Sequence, residues 1–202
     1  MPRFICPLLL FLVLVIARNP ASAQSGRQPV EADNGMVVST QYLASDIGRD
    51  ILMKGGNAVD AAVATAFALA VVHPAAGNIG GGGFLVYHGA DGETTAFNFR
   101  EKAPLAATRT MYIGADGDYL YDKHHNSIFA VGVPGTVAGL ELAHQRLGAL
   151  PWADLVEPAV RLAEDGFPFT RNLRSAQRMF KRLAEEDPVH QPAAEAFLKN
   201  GT

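Results

Sequence analysis

Apolar and polar positions change period several times along this chain of 202 residues. Residues 35–40 (GMVVST) are dense in β-branched side chains and predict a buried strand. In YLASDIGRDILMKGG the apolar residues then fall at Leu43, Ile47, Ile51 and Leu52, a helical period closed by Gly55-Gly56. Asn57 follows as an N-cap, with Asp60 three residues later to complete a capping box. The helix that they open, AVDAAVATAFALAVV, has almost no polar face beyond Asp60, which predicts burial on most sides. His73-Pro74 ends it.

A glycine-rich loop comes next, then two strand-like runs, GFLVYHG and TTAFNFR, around the hairpin signal Asp91-Gly92. Residues 112–128 are polar and turn-rich and predict a surface excursion, and FAVGVPG predicts a short strand and turn. TVAGLELAHQRLG, WADLVEPAVRLAEDG, RNLRSAQRMFKRLAEED and PAAEAFLKN then predict successive helices. The fold class is mixed, α/β (α+β), with strands early and helices in the second half.

Residues 1–23 have a different organisation. Arg3, an apolar core from Leu8 to Ala17, Pro20 and then Ala21-Ser22-Ala23 have the layout of a cleaved signal peptide, with the cut before Gln24. The alternative is an uncleaved anchor, but the apolar run is shorter than the ~20 residues of a spanning helix. Cys6 lies ahead of the apolar core, not at the cut, which argues against a lipoprotein signal. The expected organisation is signal 1–23, polar lead-in 24–34 and globular part 35–202. Cleavage removes Arg3 and Arg18, leaving 15 Lys and Arg against 20 Asp and Glu. That acidic balance offers nothing to nucleic acid or to an anionic membrane. The one cysteine leaves with the signal, so the mature chain forms no disulfide; an exported, periplasmic or secreted protein is expected.

Three features are candidates for chemistry. The run Gly77–Gly83 (GNIGGGG) has neither the spacing nor the strand-to-helix order of a phosphate loop. Its alternative role is close approach of two backbones or positive φ beside a site. The histidines His73, His88, His124, His125, His144 and His190 show no metal-ligand spacing, and adjacent His124 and His125 are expected to point apart in a solvated loop. Arg100, in NFREKAP, closes the second predicted strand and can offer a planar fork to a carboxylate; its alternative is an ion pair with Glu101. No nucleophile elbow or reactive cysteine is present.

Taken in order, GGNAVDAAVA, GNIGGGGF, FREKAP and GVPGTVAGL resemble the gamma-glutamyltransferase (gamma-glutamyltranspeptidase) family, over about Gly35 to at least Thr170. The resemblance implies an N-terminal-nucleophile hydrolase with a four-layer αββα sandwich. It implies a precursor that cuts itself into a large and a small subunit, whose new N-terminal threonine attacks the γ-glutamyl amide. Substrates would be glutathione and other γ-glutamyl compounds, acceptors amino acids, peptides or water, and no cofactor or metal is called for. The nucleophile belongs to sequence beyond the matched region, so the small subunit is an expected partner and no catalytic residue is assigned here, Thr202 included. One binding residue carries over: Arg100, which would grip the substrate α-carboxylate. The glycine run is implied to be a structural loop close to that pocket. The alternatives are a cephalosporin (glutaryl) acylase, a poly-γ-glutamate-processing enzyme, or a non-catalytic binding protein that keeps Arg100.

Overall fold

The computed structural model describes residues 29–168 and 171–198; the expected signal peptide lies outside them. Contacts divide the chain into a leading unit, Met1–Asn34, and a main unit, Gly35–Thr202. In the leading unit, residues 29–34 are exposed and without regular structure.

The main unit is organised around one helix. Helix α1 (Tyr42–Met53) leads through Gly55, at φ +91°, into α2 (Ala58–Val72). Asn57 and Asp60 form the expected capping box: the Asn57 side chain accepts from Val59 and Asp60 N–H, and Asp60 accepts from Asn57 N–H. Helix α2 packs against α1, against α4 (Thr136–Leu147) and against α5 (Trp152–Asp165). Burial on several sides explains its apolar circumference, and buried Ala61, Ala64 and Ala68 let neighbours approach closely. Ile51, Val59, Val63, Phe67, Leu140 and Leu155 fill the core between these helices.

The hairpin forms as expected. Strand β1 (Phe84–His88) pairs antiparallel with β2 (Thr94–Asn98), with Leu85 opposite Phe97 and Val86 opposite Ala96. Gly92 takes φ +86° in the turn, where its missing Cβ avoids the left-handed penalty. Phe97 is buried against the helical core, with Leu85 and Tyr87 packed beside it. On the opposite face Phe84 and Val86 are 62% and 74% exposed.

Two expectations are corrected. Residues 35–40 form no strand: Val37 packs on the core, but Met36 is exposed and Val38 is 80% exposed. A strand needs a hydrogen-bonding neighbour, and the sheet among the described residues is the two-stranded β1–β2 hairpin alone. FAVGVPG likewise forms no strand. Its start lies in a 3-10 turn, Ile128–Ala130, and Val133 makes a single antiparallel bridge to Lys102.

The excursion at 112–128 is largely exposed and carries one short helix, α3 (Tyr121–His125). Helices α6 (Arg171–Glu186) and α7 (Gln191–Phe197) follow the predicted helical segments at the end of the chain. Among the described residues no helix is long and apolar enough to cross a membrane.

Candidate functional site

The glycine run sits where three backbone segments stack: 78–83, 99–101 and 132–136. Gly83 and Phe99 extend the hairpin ladder, Phe99 N–H donating to Gly83 O (3.0 Å) and Gly83 N–H to Phe99 O (3.4 Å). Gly81 O accepts from Gly135 N–H (2.8 Å) and Thr136 N–H (3.1 Å) at the start of α4. None of Gly77–Gly83 takes positive φ, so of the two roles open to the run, close approach is the one in use. A Cβ on Gly82 would lie 2.6 Å from Phe99 O and 2.7 Å from Glu101 N. One on Gly83 would lie 2.9 Å from the Phe99 ring, and Gly135 and Gly139 also approach Phe99 closely.

The four consecutive glycines are therefore not equivalent. Gly80 has open space around it and no positive φ. Gly82→Ala is expected to cost about 1–3 kcal/mol, since backbone has to shift to admit the methyl. Gly80→Ala is expected to stay within about 0.5 kcal/mol of the parent. Thermal unfolding of the two variants side by side checks this; equal melting temperatures would remove the close-packing explanation.

Arg100 is the middle residue of the stacked 99–101 segment. Its backbone N–H donates to Asn98 Oδ1 (3.1 Å), and its guanidinium lies 5.9 Å from the centre of the Phe84 ring. Nε lies 3.3 Å from Glu101 Oε2, so the ion pair weighed from the sequence is present. The side chain is 65% exposed. An exposed pair of this kind contributes only about 0–1 kcal/mol and leaves the arginine exchangeable between partners. Among the described residues no partner engages the Nη edge, the edge that can take both oxygens of a carboxylate. Arg100 borders an open groove of about 490 Å³, with Lys102, Met111, Tyr112, Phe129 and Val131 among its walls.

The histidines are placed differently from expectation in one respect. His124 and His125 do not point apart: their rings are 4.5 Å apart, and both hydrogen-bond to the Tyr119 hydroxyl, His124 through Nδ1 and His125 through Nε2 (3.0 Å). The short helix α3 turns both toward a tyrosine presented by the preceding turn. His144 is a packing residue, donating from Nε2 to Leu150 O (2.7 Å) beside Trp152. Among the described residues no three His, Cys, Asp or Glu side chains gather as a metal site.

Two contacts of the site were not seen in the sequence. Asn78 Oδ1 accepts from both Gly81 N–H (2.9 Å) and Thr136 Oγ1–H (2.6 Å), joining the glycine loop to α4. Asp60 accepts from Ala149 and Leu150 N–H as well as from its own cap, fastening the α4–α5 turn to the start of α2. The pairing of Gly135 with Gly139 one helical turn later is the only local signal that something must pack closely on α4.

The family model for gamma-glutamyltranspeptidase matches residues 44–202. Over 143 residues the chain is 52% identical to a glutathione hydrolase proenzyme of Pseudomonas sp. (strain A14), covering 71% of this chain and 25% of that protein. It is 46% identical over 173 residues to the glutathione hydrolase proenzyme of Escherichia coli (strain K12), covering 86% of this chain and 30% of the relative. Among solved structures, the gamma-glutamyltranspeptidase of Helicobacter pylori superposes with TM-score 0.75 at 44% identity, over 80% of this chain and 47% of that one. The chain thus spans between a quarter and a third of these curated relatives' length. The matched region takes in the glycine loop, Arg100 and the α4 N-terminus that hold one another in place, and with it this chain belongs to the gamma-glutamyltranspeptidase family.

Proposed function

We propose that this chain is the N-terminal part of the large subunit of an exported gamma-glutamyltransferase, which transfers the γ-glutamyl group of glutathione to water or to amino acid acceptors. The observation that carries the reading is Arg100: an exposed guanidinium on a tightly stacked backbone, inside a sequence of this family, with its Nη edge open to a carboxylate. γ-Glutamyl and glutaryl substrates both carry a free carboxylate at the same distance from the scissile amide, so an arginine fork serves the carboxylate of either, and it is the α-amino group that sets the first apart.

The reacting group is a threonine supplied by the later part of the precursor. Its hydroxyl attacks the γ-carbonyl while its own α-amino group takes the proton. The proton passes to the leaving amine as the amide C–N bond breaks, and the acyl-enzyme is then opened by water or an acceptor amine. Arg100 takes no part in these transfers; it holds the glutamyl end still. The same precursor would cut itself to expose that threonine, consistent with relatives named proenzymes. The uncovered face carrying Phe84 and Val86 is what a second sheet would cover in a four-layer αββα sandwich. Export through a signal peptide cut before Gln24 completes the proposal.

The complete precursor, expressed and purified, is expected to start at Gln24 by N-terminal sequencing and to hydrolyse a γ-glutamyl anilide. Residues 24–202 alone are expected to give no turnover, because removing a nucleophile removes the covalent route. A precursor inert toward both the anilide and glutathione would overturn the activity, and turnover by residues 24–202 would overturn the placing of the nucleophile.

A further inference from the structure

We propose that Asn78 and Thr136 form a positioning clamp that sets where Arg100 presents its guanidinium to the substrate carboxylate. This rests on reading Arg100 as the carboxylate-binding residue.

The argument starts from what is missing between the stacked segments. Gly82 and Gly83 lie against Phe99–Glu101 and place no side chain of their own between the glycine loop and that segment. Van der Waals contact between bare backbones resists compression but resists sliding poorly. The stack is held instead by directed bonds, of which the Gly83–Phe99 pair and the two donors to Gly81 O are backbone bonds. The side-chain bond that spans loop and helix is Thr136 Oγ1–H to Asn78 Oδ1, at 2.6 Å. The same Oδ1 also accepts from Gly81 N–H, so one oxygen fixes the loop's internal shape and its register on α4 together. Thr136 is buried, and water is a poor replacement partner there.

The loop in turn bears directly on the backbone on either side of Arg100, through Gly82 against Phe99 O and Glu101 N. Movement of the loop is therefore movement of the platform from which Arg100 projects. Binding a carboxylate through two parallel N–H bonds tolerates only about 0.5 Å and 10–20° of misplacement. A clamp that acts through the Arg100 platform can thus change affinity without touching the reacting atoms.

The test uses the complete processed enzyme. Thr136→Val keeps the shape of the side chain and deletes the donor. It is expected to raise KM for glutathione about fivefold, equivalent to about 1 kcal/mol, with kcat within about twofold of the parent. Thr136→Ser restores the hydroxyl and should return KM close to the parent value. In an Arg100→Lys background Thr136→Val should add little, because the two act through one contact. A melting temperature and a titration of active sites on each variant separate this from loss of folded protein. Unchanged KM with a lowered melting temperature would show Thr136 to be structural only and overturn the clamp. So would a full additional rise in KM on top of Arg100→Lys, or failure of Thr136→Ser to rescue. Arg100→Lys alone reports on the underlying reading: if it raises KM while Thr136→Val does not, the carboxylate role stands and the clamp falls. If Arg100→Lys leaves KM unchanged, both fall.

Discussion

Arg100→Lys in the processed enzyme is expected to raise KM for glutathione at least about tenfold. Lysine keeps the charge but replaces a planar fork with a single ammonium, so a carboxylate held by two parallel bonds keeps at most one well-aligned partner. Charge-assisted hydrogen bonds contribute roughly 1.5–3 kcal/mol each, and about 1.4 kcal/mol corresponds to tenfold. The ion pair with Glu101 does not compete at this scale, being exposed and worth about 0–1 kcal/mol. Self-cleavage should be spared, since it needs the threonine and not the substrate's α-carboxylate. Steady-state kinetics on the processed variant decides the matter. An unchanged KM would return Arg100 to the surface as a partner of Glu101 only.

Asp60→Ala is expected to be the most destabilising of the substitutions considered. The side chain is 0% exposed, and its two oxygens accept from Asn57 N–H at 2.9 Å, Ala149 N–H at 3.1 Å and Leu150 N–H at 3.3 Å. Alanine leaves these donors without their acceptor and removes half of the capping box that starts α2. Each unsatisfied buried donor costs about 1–3 kcal/mol, so a loss of roughly 3–5 kcal/mol is expected, at the upper end for one substitution. The melting temperature of the precursor should fall by roughly 10 °C, or the protein should fail to accumulate in soluble form. Asp60→Asn keeps one acceptor oxygen in the same shape and should recover about half of that loss. A precursor carrying Asp60→Ala that melts with the parent would mean that water replaces the carboxylate at the α4–α5 turn.

Features decided within one turn of chain were readable in advance. The period of Leu43, Ile47 and Ile51 announced α1; Asn57 and Asp60 announced the start of α2; Asp91-Gly92 announced the hairpin. Each depends on residues a few positions apart, where spacing and geometry are tied by the backbone itself. Arg100 was visible for a related reason, as a lone arginine after alternating aromatics at a strand end. The errors lie where a second segment decides. Residues 35–40 have the composition of a strand, but composition provides no hydrogen-bonding neighbour, and Val38 stays outside. His124 and His125 were expected to diverge as consecutive residues usually do, yet Tyr119 draws both rings to one oxygen.

By itself, then, the sequence determined the long helices, the hairpin and the family, and it singled out Arg100 as the residue proposed to bind substrate. Tertiary structure alone decided what the glycines are for. Both roles, positive φ and close approach, are compatible with GNIGGGG, and only the arrival of Phe99–Glu101 and Gly135 against the loop selects the second. It also decided the partners of Asp60 and Asn78, 89 and 58 residues away in the chain. The reason is physical: a hydrophobic period reports which face of an element is buried, but not which distant backbone will be brought against it.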